Sequence, residues 1–311
     1  MRIGVSLPNV GLDHSKEMLV PVAQAAERLG FDSVFAAHHV ALPYERKSQY
    51  PYQRSGTEIA MSPGMQWLDP LVTLSVIAGA TDRIGLGTSV LVLPYRNPVN
   101  LALEAAALDV LSEGRLILGV GAGWMREEFA TLGIDPAERG ARTDEYIQVL
   151  RTLWTDDPAN FNGRFVDFDG VVLATKPATE GGPRIWVGGN NDAGLRRALR
   201  HGDGWHGFEV FPEEIPDVRA RLDRLGAEVG RDPGELALSV ARGLIPPGRE
   251  EESFVPDRRM LGGSVDAAVE ELGSYADQGV DLVLIQVSLL APLVPEALEW
   301  VAEEVLPQLP K

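Results

Sequence analysis

The sequence GLGTSVL at Gly85–Leu91 is the stretch of this 311-residue chain that carries most information about its fold. Its small and apolar residues predict a strand, and the loop Pro94–Pro98 follows it. A second glycine-rich strand end, GVGAG at Gly119–Gly123, comes one helix length later. In an α/β barrel such strand ends form the reaction face, and small residues there let a flat ligand lie on the backbone. The two stretches therefore predict the floor of a cofactor site.

Apolar strands and amphipathic helices alternate along the whole chain. The predicted strands are Ile3–Leu7, Ser33–Ala37, Ile84–Leu91, Leu116–Val120, Arg184–Val187, Gly204–Phe208, Leu236–Val240 and Val280–Val287. Each is followed by a helical pattern, and eight strand–helix pairs predict an α/β fold of the TIM (β/α)8 barrel type, with a doubly wound sheet as the alternative. No linker or repeat is visible, so residues 1–311 are predicted to form a single domain. The first helix is expected to begin near Leu19, because Pro21 fits only a first turn.

Three insertions interrupt the alternation. They are predicted after strand 2 (Ala41–Gln66), around residues 155–182, and after strand 7 (Pro246–Gly263). The second contains a predicted β-hairpin, Phe161–Ala174, with turns at Asn162–Gly163 and Asp169–Gly170. Connections this long are commonly functional, so we expect substrate specificity to lie in them.

The composition excludes several classes of function. The chain carries 28 Lys and Arg against 45 Asp and Glu, a net charge of −17, which argues against nucleic acid or an anionic membrane as partner. It has no cysteine, and its five histidines show no zinc-binding spacing, so no metal site is predicted. Apolar runs of transmembrane or signal-peptide type are absent. We expect a cytoplasmic protein that acts on a small-molecule substrate.

The junction Gly188–Asn190 joins a predicted strand to a helix. Free backbone N–H groups and the helix dipole make such a junction suitable for a phosphate. The alternative is a tight glycine turn that merely caps the helix.

His38 and His39 follow the second strand. Neighbouring residues there point in opposite directions, so at most one is expected to face the barrel axis. A histidine at that place can bond a cofactor heteroatom or move a proton, or it can simply pack within the loop. His201 and His206 are interpreted as structural, because His201 ends a helix, where a cation is favourable.

In these features the chain resembles the bacterial luciferase-like superfamily, and in particular its coenzyme F420-dependent oxidoreductase branch. The resemblance rests on the opening strand, on residues 26–33, on the histidine pair, on the two glycine-rich strand ends, on Gly188–Asn190, and on Arg197 with Gly202–Trp205. It implies a TIM barrel that binds a tricyclic ring at the carboxyl ends of its strands.

The resemblance also implies roles for individual residues. A non-proline cis peptide is expected at Ser89–Val90, and His39 is expected near the reactive ring as the catalytic proton donor. His38 stands where many relatives have an aspartate, and Trp124 stands where sugar-phosphate dehydrogenases have a catalytic glutamate, so that activity is not expected. The implied cofactor-binding residues are His38, His39, Thr88, Ser89, Val90, Gly121, Ala122, Gly123, Gly188, Gly189 and Asn190.

The function expected from this resemblance is hydride transfer between coenzyme F420 and an organic substrate. The alternatives are an FMN-dependent monooxygenase supplied by a separate flavin reductase, and a non-catalytic flavin-binding protein. Arg46, Lys47 and Arg54 in the first insertion could meet the acidic tail of F420, or could be ordinary exposed charges. The resemblance further implies a homodimer.

Overall fold

The computed structural model describes residues 1–11, 15–45, 47–52, 65–249, 259–287 and 294–309. Strands and helices alternate through them. The strands are β1 Arg2–Ser6, β2 Val10–Gly11, β3 Ser33–Ala36, β4 Gln66–Trp67, β5 Gly85–Thr88, β6 Leu91–Val92, β7 Leu116–Gly121, β8 Ala159–Asn162, β9 Asp167–Val171, β10 Arg184–Gly188, β11 Gly204–Phe208, β12 Ala237–Ile245, β13 Leu261–Gly262 and β14 Leu282–Val287. The helices are α1 Lys16–Leu29, α2 Pro70–Ala78, α3 Pro98–Leu111, α4 Arg126–Thr131, α5 Arg139–Thr155, α6 Asp192–His201, α7 Ile215–Val229, α8 Val265–Asp277 and α9 Val294–Trp300.

The main sheet is a closed parallel barrel. Its strands run in the order β10, β11, β12, β14, β1, β3, β5 and β7, and pairing of β7 with β10 closes the ring. A helix follows each of these strands, with α4 as an extra short helix before α5. The TIM-barrel prediction is confirmed, and closure excludes the doubly wound alternative. We call the face at the carboxyl ends of the strands the barrel mouth.

The first helix begins earlier than expected. It starts at Lys16, after Ser15 in extended backbone, so Pro21 lies in its sixth position and the predicted start near Leu19 is wrong. Proline there removes the donor to the Glu17 carbonyl. Because Pro21 is exposed, water can solvate that carbonyl, while Leu19 and Val22 keep the inner face packed.

The predicted third strand, Ile84–Leu91, is divided. β5 ends at Thr88, the Ser89–Val90 peptide is cis, and the chain resumes as β6, which pairs with β7. The cis peptide expected from the resemblance is thereby confirmed. The seventh barrel strand is longer than predicted, because β12 continues through Arg242, whose buried charge meets Glu209 and Glu271.

The second insertion contains an antiparallel hairpin, β8 with β9. The turn predicted at Asn162–Gly163 connects the two strands, but the turn predicted at Asp169–Gly170 is wrong, because both residues lie within β9. Gly170 has a φ of +65° there, and its N–H donates to the Asn160 side chain across a register shift. Gly170 therefore accommodates an irregularity within the strand β9 and does not form a turn.

The barrel interior is filled by side chains. Phe35, Trp186, Ala241, Leu282 and Leu284 form a buried cluster contributed by β3, β10, β12 and β14. A second, larger apolar cluster lies largely between the strands and the helices. Within the described residues, no helix combines the length and the apolar character needed to cross a membrane.

Candidate active site

His38 lies just after β3 and is buried. The backbone N–H of Val92 donates to its Nδ1 at 3.0 Å, so the neutral ring carries its hydrogen on Nε2. Burial, followed by the positive charge of Arg96, lowers the pKa of His38 to about 4. The Nε2 atom is buried and has no hydrogen-bond partner among the described residues. His38 is therefore a neutral donor whose hydrogen needs an acceptor.

His39 forms a dyad with a carboxylate. Its Nδ1–H donates to Glu128 Oε2 at 2.7 Å, across 89 positions of sequence. Glu128 lies in α4, is fully buried, and also accepts the backbone N–H groups of Val40 and Ala41. This arrangement fixes the ring tautomer and leaves Nε2 as the nitrogen that can meet a ligand.

Burial by itself would raise the pKa of the Glu128 carboxyl. The hydrogen bond and charge of His39, with the amides of Val40 and Ala41, outweigh burial and hold that pKa below its ordinary value. Glu128 is thus an ionised acceptor at neutral pH. Sequence reasoning missed this partner, since acidic residues in the first turn of a helix are common.

Glu127 anchors the first insertion to α4. Its carboxylate accepts the backbone N–H groups of Lys47 at 2.7 Å and Ser48 at 2.9 Å, and the pKa of Glu127 falls to about 2, because hydrogen bonds outweigh burial. Lys47 is exposed. Arg46 and Arg54 lie outside the described residues, so a contact of these cations with a cofactor tail stays a prediction.

A continuous row of rings crosses the barrel mouth, and we call it the aromatic wall. Its members are Trp67, His39, Trp124, Tyr50, Tyr52 and Phe208, with ring centroids of neighbours 4.5 to 6.1 Å apart. The wall begins beside β3 and ends on β11. These strands lie opposite each other, separated by β5, β7 and β10 on one side and by β1, β14 and β12 on the other. The described part of the first insertion thus lies over the mouth and can exclude water from it.

Asn9 ties two parts of the site together. It is fully buried, and its side chain bonds both the N–H and the carbonyl of Ala37, just before the histidine pair. It also donates to the carbonyl of Leu68, just after Trp67, at 3.0 Å. Asn9 therefore fixes His38 and Trp67 relative to each other.

The glycines at the strand ends make room for protein atoms. A Cβ on Gly121 would lie 2.7 Å from Val90 Cγ2, one on Gly188 would lie 3.2 Å from Val90 Cγ1, and one on Gly123 would lie 2.7 Å from Val92 Cγ1. The expectation of bare backbone beneath a ligand is thus corrected here: Val90 packs over Gly121 and Gly188. Ala122 is half-buried beside them, and cofactor contacts of these residues stay predictions.

Thr88 and Ser89 are engaged with other strands. Thr88 is fully buried, and its hydroxyl donates to the Gly119 carbonyl at 2.6 Å. Ser89 is half-buried, and its hydroxyl is hydrogen-bonded to His206 Nε2 at 2.8 Å. His206 Nδ1 reaches Ser239 Oγ at 2.8 Å, so this histidine bridges β11 to both serines. The structural interpretation of His206 agrees with this geometry.

The loop Gly188–Asn190 sits above α6 as a tight glycine turn. Gly189 has a φ of +123°, and its carbonyl would meet a Cβ on Gly194 at 2.6 Å. The Asn190 side chain bonds both backbone groups of Phe208, and Asn191 caps the helix by accepting from the Gly194 N–H. Any anion bound here would therefore meet backbone N–H groups at the helix start.

A sequence profile of the luciferase-like monooxygenase family matches residues 1–281. The chain belongs to this family. A protein of Mycobacterium tuberculosis strain H37Rv, itself uncharacterized, is 35% identical over 241 residues, which is 76% of this chain and 82% of that relative. The FMNH(2)-dependent dimethylsulfone monooxygenase of Pseudomonas putida is 27% identical over 244 residues, 75% of this chain and 66% of that protein.

The barrel is also shared with solved structures of other proteins. An F420-dependent secondary alcohol dehydrogenase in complex with an F420–acetone adduct superposes with a TM-score of 0.79 at 19% identity, covering 100% of this chain and 99% of that one. The likeness at this identity concerns the fold. In the described part of this luciferase-like chain, no group of three or more His, Cys, Asp or Glu residues is arranged to hold a metal ion.

Acid is expected to destabilise this luciferase-like barrel through its buried histidines. Burial lowers the pKa of His206 from 6.5 to about 4, as it does for His38. Between these values the unfolded chain binds the proton and the folded chain does not, so stability falls as pH drops from 6.5 to about 4. Each histidine contributes a loss of about 3 kcal/mol over that window. Urea unfolding at several pH values measures it.

The matched variant is His206→Asn, which removes the titrating group. It is expected to remove about half of the pH dependence between 6.5 and 4, with His38 supplying the rest, whatever its effect on stability at pH 7. A pH dependence identical to that of the wild type would contradict the assignment of this acid sensitivity to His206.

Proposed function

We propose that this luciferase-like protein is a coenzyme F420-dependent oxidoreductase, which transfers a hydride between the deazaflavin and a small organic substrate. The observation that carries the proposal is the His39–Glu128 dyad at the barrel mouth. Hydride transfer to or from a carbonyl carbon needs a group that gives or takes the accompanying proton. When bound, the deazaflavin supplies the hydride chemistry, because it has a carbon where flavins activate oxygen.

The residues at the mouth fit such a cofactor in two respects. The buried Nε2–H of His38, which lacks a partner in the described part of the chain, suits the oxygen and nitrogen acceptors of a deazaflavin ring. The backbone N–H groups where Gly188–Asn190 leads into α6 suit a tail phosphate. Val90 would lie beneath the ring, packed on Gly121 and Gly188.

The chain's own groups then handle the proton. Glu128 keeps a hydrogen on Nδ1 of His39, so Nε2 accepts the hydroxyl proton of an alcohol substrate. For a carbonyl substrate, the same nitrogen in its protonated form donates that proton. The aromatic wall limits the access of water to the reacting atoms.

An FMN-dependent monooxygenase, supplied by a separate flavin reductase, is the second candidate. The likeness to the FMNH(2)-dependent dimethylsulfone monooxygenase favours it. A flavin-binding protein without catalysis is the third, and the dyad argues against it, because such a protein has no use for an oriented proton carrier.

Side-by-side titration with F420 and FMN, followed by the fluorescence of each cofactor, tests the proposal. We expect tight binding of F420, and about tenfold weaker binding to a His38→Phe variant, which lacks the Nε2–H donor. Preference for FMN would support the monooxygenase instead. Binding of neither would overturn the assignment to an F420 or FMN enzyme.

We further propose that two copies of the chain pair through α2 and α3. These neighbouring helices expose Val72, Val76, Leu103, Val110 and Leu111, with Leu111 72% exposed and Val72 66% exposed. A surface that exposes aliphatic side chains and carries few charged ones is typical of the core of a homodimer interface.

A Leu111→Glu variant is expected to convert the dimer into a monomer, since it puts a charge into an apolar contact. Light scattering after size exclusion should give twice the 33.7 kDa chain mass for the wild type and about one chain mass for the variant. Val172→Glu, at a 60% exposed aliphatic residue outside α2 and α3, is the control and should remain dimeric. A monomeric wild type would contradict the pairing.

A further inference from the structure

We propose that the indole N–H of Trp67 binds the oxygen of a neutral substrate that has a planar, apolar body. The inference rests on the proposed hydride-transfer function and names the substrate class of that site. Two observations carry it: a buried donor without a partner beside His39, and the row of rings that continues from it.

Trp67 Nε1 is buried and lacks a hydrogen-bond partner within the described ranges. The Trp67 ring packs against the ring of His39, with centroids 4.5 Å apart and planes at 75°. A buried N–H of this kind is costly unless something accepts its hydrogen. An oxygen bound by Trp67 would lie beside His39, the residue proposed to exchange a proton with that same oxygen.

Trp186 shows why the position of Trp67 matters. Its Nε1 is also buried and, among the residues described, unpartnered. However, Trp186 belongs to the cluster inside the barrel, and a Cβ on Gly204 would lie 2.8 Å from that nitrogen. Protein atoms close that space. Trp67 is instead only half-buried as a residue and stands in the wall over the mouth, in contact with His39.

The other rings of the wall determine the shape and polarity of the substrate that fits beside Trp67. From His39 the row runs through Trp124, whose ring lies 5.2 Å from that of Tyr50, and Tyr52 lies 5.2 Å from Phe208. Such faces and edges favour a flat apolar group. Glu127 and Glu128 are neighbours in α4, and Glu128 is bonded to His39, so their negative charge disfavours an anionic substrate at this end of the wall.

Three probes of similar shape test the proposal: acetophenone, which has the oxygen; ethylbenzene, which lacks it; and benzoate, which is anionic. Binding to the full chain is measured by ligand-observed NMR, with and without F420. We expect acetophenone to bind roughly tenfold more tightly than ethylbenzene, and benzoate more weakly than either.

The Trp67→Phe variant keeps a ring but removes the N–H. It should abolish the preference for acetophenone over ethylbenzene, whereas Trp186→Phe should leave that preference intact. Equal binding of the two neutral probes by the wild type, or an unchanged preference in Trp67→Phe, would overturn the proposal. The probe preference is read without turnover, so failure of the F420 assignment in the cofactor titration is distinguishable from failure of this inference.

Discussion

Replacing Glu128 with glutamine is expected to lower turnover by roughly 10²- to 10⁴-fold while the barrel stays folded. The glutamine oxygen can still accept the N–H groups of Val40 and Ala41, but its amide N–H₂ then faces Nδ1 of His39. That contact favours the opposite tautomer, with the hydrogen on Nε2, so the ring can no longer accept a proton there. Single-turnover reduction of the oxidised cofactor by the alcohol that corresponds to the best-binding ketone measures the effect, because this is the direction in which Nε2 must accept a proton.

Glu127→Gln is the matched control. It changes the neighbouring carboxylate, which holds the amides of Lys47 and Ser48, and should cost far less turnover. If His39 and Glu128 act as a unit, the double variant His39→Ala with Glu128→Gln should lose no more than His39→Ala alone. Additive losses, or wild-type turnover in Glu128→Gln, would remove Glu128 from the mechanism.

The barrel could be read from the sequence because its signal is local and repeated. Each strand is a short apolar run, each helix has its own period, and eight such pairs in order leave few topologies. The predicted ends of strands and helices were wrong where a tertiary contact overrides the local sequence pattern. Arg242 looks like the end of a strand, but Glu209 and Glu271 pair with it in the interior, and β12 continues to Ile245.

The candidate site was only partly readable. His38 and His39 could be found, since two histidines after a strand are conspicuous, but their different roles depend on contacts with Val92 and Glu128, far away in the chain. Asn9 gave no signal either, because one asparagine after a strand is ordinary. Its function depends on Ala37 and Leu68, which only the fold brings together.

The second large effect, a loss of stability, is expected from Gly119→Ala at one of the glycine-rich strand ends. A Cβ at Gly119 would lie 1.9 Å from the Thr88 carbonyl oxygen, and the Thr88 hydroxyl already holds the two strands together at 2.6 Å. Since backbone cannot turn aside as a side chain can, β5 and β7 must separate. We expect a loss of about 3–5 kcal/mol in the free energy of unfolding, measured in urea.

Substitutions at two further glycines show whether this loss comes from the steric contact or from replacing any glycine with alanine. Gly273→Ala, inside α8 with no atom within 4 Å of the new Cβ, should be neutral or should raise stability by about 0.4–1 kcal/mol. Gly121→Ala meets only a methyl of Val90 at 2.7 Å, so it should cost less stability but shift Val90 and weaken cofactor binding. A Gly119→Ala protein as stable as the wild type would contradict the close contact between β5 and β7, and with it the tight packing of Val90 on Gly121 and Gly188.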